Sequence, residues 1–387
     1  MNIRRSITKR FNKVFRRSSV EVNPIVVNLY ESSYEKHVLI SYIVSPFKGE
    51  NNFLHQNYVT SHILAESFSE FGYNVDIVNY YEDEVNIDYD KYSVIIGFGR
   101  ILERSFYIAN RDILRVNFVT GAHEDFQNAM SLKGVRDFYD LSRLWLTEEA
   151  NVLPDSCYYS LFDADMAIIL AYGYIYDDYK ARYKNELYSL NNNILGIFSD
   201  FSSKTIQSRN SNFLFLSGKG QTNKGLHILL EVARRRPELN FYVVILSLNE
   251  RMEEYFNDIL HHRPNVFFYK EVRMDSLEMR EIIEKCTYCV APSYVDGLPG
   301  GTIEPMSAGL VPIISKYCGL PNKDFIFELD DLSADGLDRK ITQVMAINDQ
   351  SYIDCSNAAK AYALSNFSPE HVKKQFKEIL AAKLGNN

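Results

Sequence analysis

The sequence predicts an α/β protein of two doubly wound, Rossmann-like domains facing across a cleft. Three observations predict it. Short apolar runs alternate with stretches of helical periodicity, the pattern of a mostly parallel sheet covered by helices. The 387 residues exceed one ordinary core and suit two domains of about 150–200 residues each. A stretch at 199–211, rich in Ser, Asn, Lys and Arg, separates two such alternating halves.

The chain opens on a basic segment, 1–24, in which Arg4, Arg5, Lys9, Arg10, Lys13, Arg16 and Arg17 precede the first acid, Glu21. On a helix, Ile3, Ile7, Phe11, Val14 and Phe15 share one apolar arc. A basic amphipathic helix of this kind can lie on an anionic membrane surface, each cation contributing about 1 kcal/mol. A disordered start, a helix packed on its own domain and an organellar transit peptide fit the same residues.

The first domain is expected over 36–198. Strand-like runs stand at 37–44, 74–80, 93–97, 115–119 and 166–170, with a helix through roughly 53–71. The second is expected over 212–365. Its strands read FLFLS at 213–217, FYVVIL at 241–246, NVFFY at 265–269, YCVA at 288–291 and PIIS at 312–315, with a helix starting near Lys224. Over 366–387 a last helix is expected to pack back toward the first domain: Ser368 caps it, Pro369 and Glu370 suit its first turn, and Val372, Phe376, Ile379 and Leu380 form its apolar stripe.

Composition narrows the function. A net charge of −8 argues against a protein that neutralises nucleic-acid phosphates. Five scattered cysteines form no disulfide framework, and Cys286 and Cys289, a CxxC without a second pair, read as structural thiols. With neither a long apolar run nor a signal-peptide core, the expectation is a cytoplasmic protein, peripheral on the inner membrane face through residues 1–20.

Doubly wound sheets bind ligands beyond the carboxyl ends of their strands. After FLFLS comes Gly218-Lys219-Gly220-Gln221-Thr222-Asn223-Lys224-Gly225, which puts two cations in a glycine-punctuated loop before a helix, an arrangement suited to a diphosphate. After YCVA comes Pro292-Ser293-Tyr294-Val295-Asp296-Gly297-Leu298-Pro299-Gly300-Gly301-Thr302-Ile303-Glu304, in which Asp296 and Glu304 can face one bound molecule and the glycines bring backbone N–H groups close to it. Each loop taken alone is also what an ordinary surface turn would show.

Together the loops resemble those of the family 4 retaining glycosyltransferases. The second matches most of the pattern P-S-x-x-E-G-x-P-x-x-x-x-E-x-M-x-x-G, with Asp296 at the first acid and Glu304 at the second. The first is similar to G-R-x-x-x-x-K-G, with Lys219 at the arginine and Lys224-Gly225 at the Lys-Gly pair. The likeness covers roughly 210–365, and in outline the first half, where His123 in FVTGAHEDF stands at the family's histidine.

The resemblance implies a GT-B fold, a UDP- or GDP-sugar donor in the interdomain cleft and no required cofactor or metal. Lys219 and Lys224 would neutralise the diphosphate and stabilise its departure. Asp296 would hold a donor-sugar hydroxyl, Glu304 the ribose, and His123 the sugar from the opposite domain. Gly218, Gly225, Gly297, Gly300, Gly301 and Thr302 would complete the donor site. The acceptor would be a glycan or lipid-linked glycan of capsule, exopolysaccharide or lipopolysaccharide assembly. Two departures matter: Lys219 lacks an arginine's planar fork, and Asp296 is one methylene shorter than glutamate. A noncatalytic sugar-nucleotide binder with an eroded site, or another GT-B enzyme such as a sugar-nucleotide epimerase, is the alternative.

Overall fold

The computed structural model describes residues 24–49, 55–82, 85–153 and 157–385. Of the basic segment read at 1–24, residues 1–23 lie outside these residues.

The fold is two Rossmann-like α/β domains, each built on one sheet. The first sheet contains β1 (Ile25–Val26), β2 (Lys36–Tyr42), β3 (Tyr73–Asn79), β4 (Val94–Gly97), β5 (Leu114–Val119), β6 (Met166–Ile169) and β7 (Glu186–Ser189). Their spatial order is β1-β3-β2-β4-β5-β6-β7, all parallel except β1 against β3. Val38, Leu39 and Ile40 of β2 are buried because helices cover both faces of the sheet, which is why the strand reads as a continuous apolar run.

The second sheet contains β8 (Asn212–Ser217), β9 (Asn240–Ile245), β10 (Val266–Lys270), β11 (Tyr288–Ala291), β12 (Val311–Ile314) and β13 (Phe327–Glu328). It is wholly parallel, in the order β10-β9-β8-β11-β12-β13. In each sheet the chain lays strands to one side of the first long strand and then crosses to the other. The switch points fall between β2 and β4 and between β8 and β11, where crevices open beyond the strand ends.

Two features differ from the sequence expectation. The helix expected from Lys224 is broken: one turn, Gln221–Lys224, ends at Gly225 in the left-handed region, φ 74°, and Leu226–Arg235 follows. The short strands β1, β7 and β13 add to the sheet edges.

The two cores are not separate on every side. Phe138, at the far end of the first-domain helix Glu124–Ser142, packs in the core of the second domain with Leu146 and Phe256. Its ring lies 5.9 Å from His227 and 6.0 Å from Phe256. Conversely, the last helix, Pro369–Leu384, buries Val372, Phe376 and Leu380 in the first-domain core, and Lys373 and Lys377 pair with Glu66 and Glu70. Apolar contacts of this kind restrict relative domain motion.

Candidate active site

The two glycine-containing loops of the second domain meet at its switch point. The Tyr294 N–H donates to the Asn223 carbonyl at 2.8 Å, and the Asn223 amide donates to the Val295 carbonyl at 3.2 Å. These ties set Lys224 beside Asp296, and the ammonium donates to the carboxylate. The Asp296 N–H is held by the Tyr317 carbonyl at 2.8 Å, and its Oδ1 accepts from the Gly297 N–H at 3.1 Å.

This pair faces the first domain across a cavity of about 680 Å³. The opposite wall comes from the carboxyl ends of β3, β4 and β5: Tyr80, Tyr81, Phe98 and the turn Thr120-Gly121-Ala122. The volume falls within the roughly 300–1,000 Å³ usual for small-molecule sites. Charges on the lining balance, Arg100 and Lys224 against Glu124 and Asp296. Among the described residues no group of three or more His, Cys, Asp or Glu could hold a metal ion, and no helix is long and apolar enough to cross a membrane.

The remaining expected site residues are placed unevenly. Lys219 and Gly218 are exposed on the loop after β8, away from the cavity wall. Gly297 lies on the wall, and its close approach to the first domain requires a glycine: a Cβ there would stand 2.7 Å from the Thr120 carbonyl. Gly225 and Gly301 have packing reasons of their own, since a Cβ would meet the Pro292 carbonyl at 2.2 Å or the Leu216 carbonyl at 1.9 Å. Thr302 is buried in the helix Gly300–Ser307.

His123 caps the helix Glu124–Ser142, its Nδ1 accepting from the Asp125 N–H at 3.2 Å. The imidazole is 0% exposed and packs between Phe162 and Tyr179, with Nε2 unpartnered among the described residues. Burial lowers its pKa, so the neutral form is favoured. Residues on either side of it line the cavity, and its own side chain does not.

Glu304 is fully buried at the domain seam. One oxygen, Oε1, accepts from the Leu195 N–H at 2.5 Å and from the Gln56 amide at 2.9 Å, while Oε2 has no partner among the described residues. Burial pushes its pKa up to about 7, against the pull of those two donors. Gln56, unassigned on sequence grounds, and its neighbour His55 stand where the loop after β2 enters the helix Asn57–Glu70. Desolvation and the nearby Lys224 lower the His55 pKa. The only sequence signal for either residue was a cluster of polar residues at a strand-to-helix turn.

Two doubly wound domains facing across a cavity, with a cation and a carboxylate at the second switch point, define a GT-B architecture. Residues 199–361, which include most of the second domain, match the family model described as Glycosyl transferases group 1. No curated protein sequence matches the chain. The chain is similar in structure to sucrose-phosphate synthase from Thermosynechococcus elongatus, at TM-score 0.62 and 12% identity over 90% of this chain and 99% of that one. It is also similar to a glycosyltransferase from Rickettsia africae, at TM-score 0.59 and 12% identity over 92% and 100%. A third similar structure is a point mutant of S. aureus TarM in complex with fondaparinux, alpha-GlcNAc-glycerol and UDP, at TM-score 0.50 and 13% identity over 79% of this chain and 60% of that one.

Proposed function

We propose that the protein is a retaining glycosyltransferase that moves a sugar from a UDP- or GDP-sugar to a glycan or lipid-linked glycan acceptor, in the assembly of a surface polysaccharide. The observation that carries this reading is the Lys224–Asp296 pair opening on the interdomain cavity. Lys224 is placed to stabilise the negative charge that develops on a departing nucleoside diphosphate, and Asp296 to accept from a sugar hydroxyl. The family match of the second domain supports glycosyl transfer, and the presence of UDP in the TarM structure supports a nucleotide donor.

The opposite wall suits a carbohydrate acceptor. The ring centroids of Tyr80 and Phe98 lie 4.4 Å apart and those of Tyr80 and Tyr81 5.1 Å apart, an aromatic cluster on the cavity wall against which a pyranose can pack. Residues 1–20 would bring the protein to an anionic membrane, where a lipid-linked acceptor resides.

Thermal stabilisation by UDP, GDP, ADP and CDP sugars, with and without chelator, tests the proposal. A rise with one nucleotide class that survives chelator and is lost in Glu304→Ala supports a metal-independent donor site and names its base. No rise with any donor at millimolar concentration overturns it. Lys219, exposed away from the cavity wall, leaves Lys224 alone of the two loop lysines to assist departure, which favours a second reading, a noncatalytic sugar-nucleotide binder; transfer or hydrolysis of the donor decides between the two.

A further inference from the structure

Gln56 begins a helix without capping it. It stands at the N-cap of Asn57–Glu70, where a polar side chain usually accepts from the first-turn N–H groups, yet it makes no such bond. Its amide instead crosses to the second domain and donates to Glu304. The side chain lies against the start of the opposing helix: a Cβ on Gly300 would stand 2.3 Å from Gln56 Oε1 and 2.5 Å from its Nε2. The space that glycine leaves open is therefore filled from within the protein. Among the described residues Glu304 keeps an unpartnered buried oxygen beside it, an acceptor that a hydroxyl donor would satisfy.

We propose that Gln56 is an internal plug of the donor site: its amide holds the Glu304 carboxylate and fills the space beside Gly300 until an incoming nucleotide, offering hydroxyl donors to Glu304, displaces it. The inference rests on the reading of Glu304 as the ribose-binding acid. Displacement falls to the side chain because the domains are joined elsewhere by apolar contacts at Phe138 and by the Tyr294 hydroxyl, which donates to Asp137 at 2.6 Å. The Gln56 carbonyl stays fixed, accepting from the Thr60 N–H at 3.0 Å and from the Asn193 amide at 3.3 Å, so only the side-chain torsions need change.

Calorimetric titration of the wild type, Gln56→Gly and Gln56→Asn with UDP, GDP and their sugars tests this. Asparagine is one methylene too short to hold Glu304, and both residues suit a helix start, so the variants keep the fold. Both should bind the preferred nucleotide about tenfold more tightly, because one buried hydrogen bond no longer has to be broken. A residue with a merely structural role would not tighten a ligand on removal. Weaker binding would make Gln56 a nucleotide ligand, and unchanged binding would put it outside the donor's path; either overturns the plug. If none of the three proteins binds any nucleotide, the donor-site reading itself falls.

Discussion

Lys224 donates to the Asp296 carboxylate although 72 positions separate the two in the chain. Each stands at the carboxyl end of a strand, after β8 and after β11, and the switch point between these neighbours makes their loops adjacent. The pair is mostly buried, its side chains 24% and 15% exposed, and it opens on the cavity.

Lys224→Met should lower the transfer rate on the order of 100-fold or more, the cost of losing one preorganised charge at a developing anion. Unfolding free energy should fall by about 1–3 kcal/mol, because the largely buried Asp296 carboxylate loses its partner. Steady-state kinetics beside urea unfolding check both, and a large loss of stability with little loss of rate would assign the pair a structural role.

Glu304 predicts a pH dependence of stability. Its folded pKa, raised to about 7 by burial, lies above the unfolded value, so the folded state holds the proton more tightly. The stabilisation is complete below the unfolded pKa and is lost as pH rises through about 7, a change on the order of 3 kcal/mol. Glu304→Gln should remove that slope and be the more stable protein above pH 7, since its carbonyl still accepts from Leu195 and Gln56. Denaturant melts from pH 5 to 8 would show it; parallel curves for the two proteins would exclude it.

Gly301→Ala should destabilise the second domain by about 3 kcal/mol or more, because the new methyl meets the Leu216 carbonyl of β8, which cannot retreat without breaking the sheet. Gly218→Ala, with open space around the glycine, should be nearly neutral. Comparing the two melting curves separates a packing glycine from a loop glycine.

Deleting residues 1–20 should abolish cosedimentation with vesicles containing anionic lipid and leave transfer to a soluble acceptor unchanged. Cosedimentation that persists would move membrane contact to another surface.

Much of the fold was legible because buried parallel strands read as continuous apolar runs: FLFLS became β8 and YCVA became β11, with the glycine loops beyond them. The short strands β1 and β13 and the polar Glu186–Ser189 carry too few apolar residues to announce themselves, and neighbouring strands recruit them to the edges. Lys224 and Asp296 could be nominated from their loops, but their contact depends on ties through Asn223 that no local pattern encodes. The direction of the His123 ring is set by Phe162 and Tyr179, neither of which is near it in sequence.

By itself, then, the sequence determined what depends on neighbours along the chain: the alternation of strand and helix, the caps, the glycine loops and the residue types available to them. Tertiary structure alone decided what depends on which surfaces meet. It buried Glu304 under Gln56, 248 positions away, and joined the domains through Phe138. The physical reason is that desolvation and close packing arise only between surfaces brought together by the fold, so a carboxylate read as an exposed ligand can become a sealed acid with a pKa of about 7.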